Sequence, residues 1–254
     1  MNLPNPFPGL AVNVNAGVQI STPQPATNSY KFKKAGKNGT LIAIVLDESG
    51  SMNVCRDTTI TGFNEFVQGQ KAAEATAGAG YLTLVKFEGG KVDTVYHNRP
   101  LSEVPALDNS TYQPAGGTNL LDAIGDTINN VNTVLAGNKK KDRPGVIITI
   151  MTDGEENSSR RFNNEQIKAM VKAAEVADWT FVFLGANIDA FSVGSTFGMG
   201  MSNSINYSTA SMGNTMTSVS ASTTRMRMAK AAGVTTADIY STGLYTDAEL
   251  KSMK

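Results

Sequence analysis

The chain has a single cysteine, Cys55, and a single histidine, His97, among its 254 residues. A lone cysteine cannot close an internal disulfide, and one histidine cannot build a histidine-rich metal site. Charge is scarce as well: Asp, Glu, Lys and Arg make up 17% of the residues, and 22 Lys+Arg offset 22 Asp+Glu. That balance excludes a grip on nucleic acid driven by bulk charge. The longest uninterrupted apolar run, Leu41 to Leu46, is far shorter than the roughly 20 residues of a membrane-spanning helix. Met1 to Ala16 lacks the lysine or arginine start and apolar middle of a secretory signal, so the expected location is cytoplasmic.

What is present is an alternation of buried strands and amphipathic helices. Residues 1–39, rich in Pro, Asn, Gly, Ser and Thr and ending in Lys31, Lys33, Lys34 and Lys37, show no helical or strand period and read as an extended arm. Leu41 to Leu46 is wholly apolar and rich in branched residues, as expected of a strand buried on both faces of a parallel sheet. Ile60, Phe63, Phe66, Val67, Ala73 and Ala77 recur at helical spacing, which predicts a helix over about 58–77. A hairpin follows, with strands over 81–87 and 91–96 around Gly89-Gly90, the second strand of edge type. Residues 98–117 read as a long irregular crossing. A helix then runs from about Asn119 to Gly137, followed by strands over 146–152 and 180–184 that flank a helix capped at Asn163 or Asn164.

The fold class predicted is α/β and Rossmann-like, a mainly parallel sheet with one antiparallel edge strand and helices on both faces. The main domain covers 40–207, with a short last strand at Ser204–Tyr207. A closing helix and tail over 208–254 pack on it or flank it. The methionines from Met199 to Met228 read as adaptable packing.

Ligands bind open parallel sheets outside the carboxyl ends of the strands. Three polar clusters fall there: Asp47-Glu-Ser-Gly-Ser51 after the first strand, Gly116-Gly117-Thr118 at a helix start, and Asp153-Gly154 after a later buried strand. Together they offer two carboxylates and three hydroxyls, an all-oxygen inventory suited to a hard divalent cation that keeps waters or an open position. Asp47, Ser49 and Ser51 alternate, so in an extended or gently curving loop their side chains converge on one side.

These residues, Asp-x-Ser-x-Ser after the first strand, a distant Thr after Gly-Gly, and Asp-Gly after a later apolar strand, resemble the von Willebrand factor A domain and its metal-ion-dependent adhesion site, MIDAS. The resemblance covers about residues 40–207. It implies that Ser49, Ser51 and Thr118 contact Mg²⁺ directly, with Mn²⁺ or Ca²⁺ as alternatives, and that Asp47 and Asp153 act often through water. A partner's Asp or Glu would complete the coordination, with Glu48, Gly117 and Glu155 on the rim. Met151–Ser159 and Phe183–Asp189 also resemble intracellular A domains of bacteria and their tailed phages, some of which serve as adaptors beside ring-forming ATPases. Host and phage proteins are therefore candidate partners, and a virion location is an alternative to the cytoplasm.

The expected function is metal-dependent protein binding rather than catalysis. Ser49 lacks a Gly-x-Ser-x-Gly elbow, no Gly-rich phosphate loop with Lys is present, and no second aspartate follows Asp47 by two positions. A structural phage or assembly component that uses its arm for strand addition is the alternative. His97 is expected as a satisfied surface residue and Cys55 as a buried thiol, since hard cations prefer oxygen.

Overall fold

The computed structural model describes Phe32 and residues 38–254, so most of the expected arm lies outside the described residues. β1 (Thr40–Asp47) is buried along its whole length. Leu41, Ala43 and Val45 enter one core while Ile42, Ile44 and Leu46 enter the other, as the two-residue period of a strand requires. A 3₁₀ turn at Gly50–Cys55 leads into α1 (Arg56–Ala72) and the single turn α2 (Glu74–Ala77). β2 (Gly80–Glu88) and β3 (Lys91–Pro100) form the hairpin, and α3 (Leu120–Ala136) follows the crossing loop. β4 (Gly145–Thr152), α4 (Asn164–Val176) and β5 (Thr180–Ala186) continue the alternation. α5 (Ala190–Thr196), β6 (Ser204–Tyr207), α6 (Met212–Ala231), α7 (Thr236–Thr242) and α8 (Asp247–Ser252) complete the chain.

The six strands form one sheet in the order β3-β2-β1-β4-β5-β6. All neighbours are parallel except β2 and β3, so β3 is the antiparallel edge strand that the sequence predicts. Helices cover both faces, with α3, α4 and α5 over one core and α1 and α6 over the other.

Three stretches differ from the sequence reading. The helix expected to run to Ala77 breaks after Ala72; the Glu74 side chain accepts the Gly80 N–H at 2.8 Å and ties the break to the start of β2. β3 runs on to Pro100 through an irregularity opposite Leu84, held where the Thr83 hydroxyl accepts the Asn98 N–H at 3.0 Å. The short helices α5, α7 and α8 were not anticipated.

Residues 208–254 share the main core. α6 lies along α1 so closely that a Cβ on Gly62 would come within 2.6 Å of Met216 Cγ. Met212, Met216, Val219 and Met226 are buried there, whereas Met201 and Met228 are exposed. Arg227, fully buried, donates to the Gln70 carbonyl at 2.9 Å, to Gln70 Oε1 at 3.0 Å and to the Gly78 carbonyl at 2.6 Å. That guanidinium adds a polar tie to the apolar line that α6 lays against α1.

Candidate metal centre

Parallel pairing of β1 with β4 sets their carboxyl ends side by side, and both strands run into an aspartate. Asp47 is fully buried. Its Oδ1 accepts the Ser49 N–H at 2.7 Å and its Oδ2 accepts the Thr152 hydroxyl at 2.5 Å. Ser49 is extended, but Ser51 lies inside the 3₁₀ turn, so the two hydroxyls converge through the turn rather than along the gently curving loop expected. Their oxygens stand 3.2 Å apart, and Ser51 Oγ donates to Asp153 Oδ1 at 2.6 Å. Gly154 brings in the third loop: a Cβ there would lie 3.2 Å from Thr118 Oγ1 and 3.9 Å from Ser51 Oγ. All five predicted ligands are thus drawn to one end of the sheet.

The loop after Asp153 holds Thr118 in place. Asn157 Oδ1 accepts the Thr118 N–H at 2.9 Å, and the N–H groups of Asn157 and Ser158 donate to the Thr118 carbonyl at 2.9 and 3.1 Å. Gly117 permits this approach, since a Cβ would collide with Ser158 Oγ and with Asn157 Oδ1. Glu156 accepts the Leu121 N–H in the first turn of α3, and Asp122, buried in that turn, accepts the N–H groups of Arg160, Arg161 and Phe162.

Burial sets the electrostatics of both carboxyls. Burial pushes the Asp47 carboxyl up to about 6, against the hydrogen bonds from Thr152 and Ser49, and the nearby Asp153 adds to the rise. Burial also raises Asp153, against its bond from Ser51. Among the described residues neither carboxylate has a lysine or arginine partner. No cluster of three or more Asp, Glu, His or Cys exists among them, so a metal here would depend on hydroxyls. Two buried carboxylates without a counter-charge, converging with serine and threonine oxygens, fit a hard divalent cation. Ser51 is exposed, which opens the cluster to solvent.

The three rim residues sit differently from one another. Glu155 is exposed and Gly117 partly so. Glu48 is 7% exposed and ion-paired with Lys86 at 2.8 Å, and it accepts the Gln113 N–H, so its carboxylate faces inward and holds the crossing loop. His97 lies on β3, and Cys55, the last residue of the 3₁₀ turn, is buried, its thiol raised by burial.

No family model and no curated protein matches the chain. Solved structures do. Proximal thread matrix protein 1 from the mussel byssus gives a TM-score of 0.52 at 12% identity, over 77% of this chain and 49% of its own. The same protein with a zinc-occupied MIDAS motif gives 0.51 at 12% identity, over 76% and 48%. This chain has the von Willebrand factor A fold. It spans about half the length of the mussel protein.

Within that fold, sequence reasoning missed Thr152 and Tyr112. Thr152 fixes Asp47 from the neighbouring strand, and the Tyr112 hydroxyl donates to the Asp47 carbonyl at 2.6 Å. Thr152 was visible as the polar residue closing an apolar strand. Tyr112 lies in an irregular loop whose path carries no local signal.

Proposed function

We propose that the chain is a divalent-metal-dependent protein-binding module. In this reading Ser49, Ser51 and Thr118 hold Mg²⁺ directly, Asp47 and Asp153 hold it directly or through water, and a carboxylate of a partner completes the site. When bound, the ion supplies a directional point of positive charge for one acidic contact. The chain's own residues do the rest: Thr152 and the Ser49 N–H hold Asp47, while Asn157 and Ser158 hold Thr118. The observation that carries the reading is the pair of buried carboxylates without a counter-charge, meeting three hydroxyls at an open mouth.

The partner is a protein presenting Asp or Glu, of host or phage origin, and a ring-forming ATPase is one class that the resemblance suggests. Binding rather than catalysis is favoured because the sole histidine sits on β3 and no general base adjoins the serine hydroxyls except the carboxylates themselves. No helix among the described residues is long and apolar enough to cross a membrane, and the location proposed is the cytoplasm or a virion. The test is capture from native lysate in Mg²⁺ and in chelator, with wild type and Asp47→Ala side by side. A partner held only by wild type in Mg²⁺, and lost when its contact Asp or Glu becomes the amide, supports the reading. A partner indifferent to chelator and to Asp47→Ala overturns it.

A further inference from the structure

Only one of the two sheet edges is guarded. β3 carries Lys91, Asp93, Arg99 and Pro100 and is irregularly paired opposite Leu84, devices that discourage a further strand. β6 has no charge and no proline, and among the described residues it pairs only with β5. Along β6 lies a cleft of about 350 Å³. Ser204, Ile205 and Asn206 line it from the strand, Met201, Leu244 and Leu250 from beyond it, and Lys254 stands among them. Met201 is 75% exposed at its mouth. An uncharged, unpaired edge beside an apolar cleft is the setting for strand addition, in which backbone groups pair with the edge and alternate side chains enter the cleft.

The chain carries a sequence of that kind outside the described residues. Against the reading of residues 1–39 as without period, Val12, Val14, Ala16, Val18 and Ile20 alternate with Asn13, Asn15, Gly17 and Gln19. This is the two-residue pattern of a half-buried strand, again without charge or proline. Phe32 is buried against Tyr81 at the start of β2, ring centroids 5.0 Å apart. From β2 to a strand added outside β6 is five strand spacings, roughly 24 Å. The stretch between Ile20 and Phe32 reaches up to about 40 Å, ample for the crossing.

We propose that the β6 edge and its cleft are the docking site for residues 12–20 of the same chain, added as a seventh strand. Val and Ile side chains then cover Met201 and Leu250, and the outward N–H and C=O groups of β6 gain partners. The proposal does not depend on the metal centre, so either can fail without the other.

Hydrogen exchange at the Ser204–Tyr207 amides tests it, using full-length wild type, Val14→Asp/Val18→Asp and Met201→Glu, each checked for its fold by circular dichroism. Slow exchange in wild type and acceleration of about tenfold or more in both variants is expected. Equal rates in all three chains would overturn the docking. Light scattering must show a monomer. A dimer that dissociates in Val14→Asp/Val18→Asp would overturn the same-chain assignment, because the strand would then come from a neighbour.

Discussion

Replacing Asp47 by Asn should stabilise the metal-free protein while abolishing its response to divalent cations. Raised from 3.8 to about 6 by burial, the carboxyl costs about 3 kcal/mol when ionised, at 1.36 kcal/mol per factor of ten. Because the folded-state value lies above the unfolded one, the cost applies in full above about pH 6 and vanishes below about pH 4. Asparagine keeps the local geometry. Its oxygen accepts the Ser49 N–H, and its amide donates to Thr152 Oγ1, whose own proton turns to the Gly154 carbonyl 3.0 Å away. At neutral pH in chelator, Asp47→Asn should therefore melt above wild type by roughly 6 °C or more, taking 2–4 °C per kcal/mol for a chain of this size. In Mg²⁺ at a hundredfold excess over its Kd, wild type should gain about 2.7 kcal/mol and the variant nothing. Scanning calorimetry in both buffers reads the two effects together. An Asp47→Asn protein less stable than wild type in chelator would refute the reasoning, since it would show that the buried charge is already compensated.

Other consequences are local. Lys86→Ala leaves Glu48 buried without its partner and should cost about 3 kcal/mol in urea unfolding, whereas the double change Lys86→Met/Glu48→Gln should recover most of that. Asp122→Ala strands the N–H groups of Arg160, Arg161 and Phe162; a loss of about 3 kcal/mol is expected, with weaker cation binding because the same loop holds Thr118. Burial keeps the Tyr112 and Tyr207 hydroxyls protonated well above the ordinary value of 10.0. Their contribution is complete below pH 10 and is lost as pH rises beyond it, so stability followed by circular dichroism should fall steeply there, and less steeply in Tyr112→Phe.

The parts legible in the sequence are those written locally. β1 and β4 announce themselves as branched apolar runs that stop at Asp47 and near Asp153, and Asn163 caps α4 through a reciprocal bond with Gln166. Caps also mark the short helices: Asp189 before α5, Thr235 before α7, and Thr246 with Glu249 at α8. Each of those helices is too short to display an apolar period, which is why the caps alone did not reveal them. α6 interrupts its buried line of Met212, Met216, Val219 and Met226 with buried Thr215, Ser222, Thr223 and Arg227, so the apolar period is blurred in the sequence and part of its tie to α1 is the long-range bond of Arg227 to Gln70. The convergence of Asp47, Ser49, Ser51, Thr118 and Asp153 was legible in the sequence. Their support by Thr152, Tyr112 and Asn157, and the inward turn of Glu48 to Lys86, depend on loops brought together only by the fold.

The most direct test of the central claim is titration of the metal-free chain with Mn²⁺, followed by electron paramagnetic resonance, for wild type, Asp47→Ala and Asp153→Ala. The account predicts one saturable ion per wild-type chain, displaced by Mg²⁺, and none in either variant while both remain folded. Absence of saturable binding in wild type, or equal binding in all three chains, would contradict it.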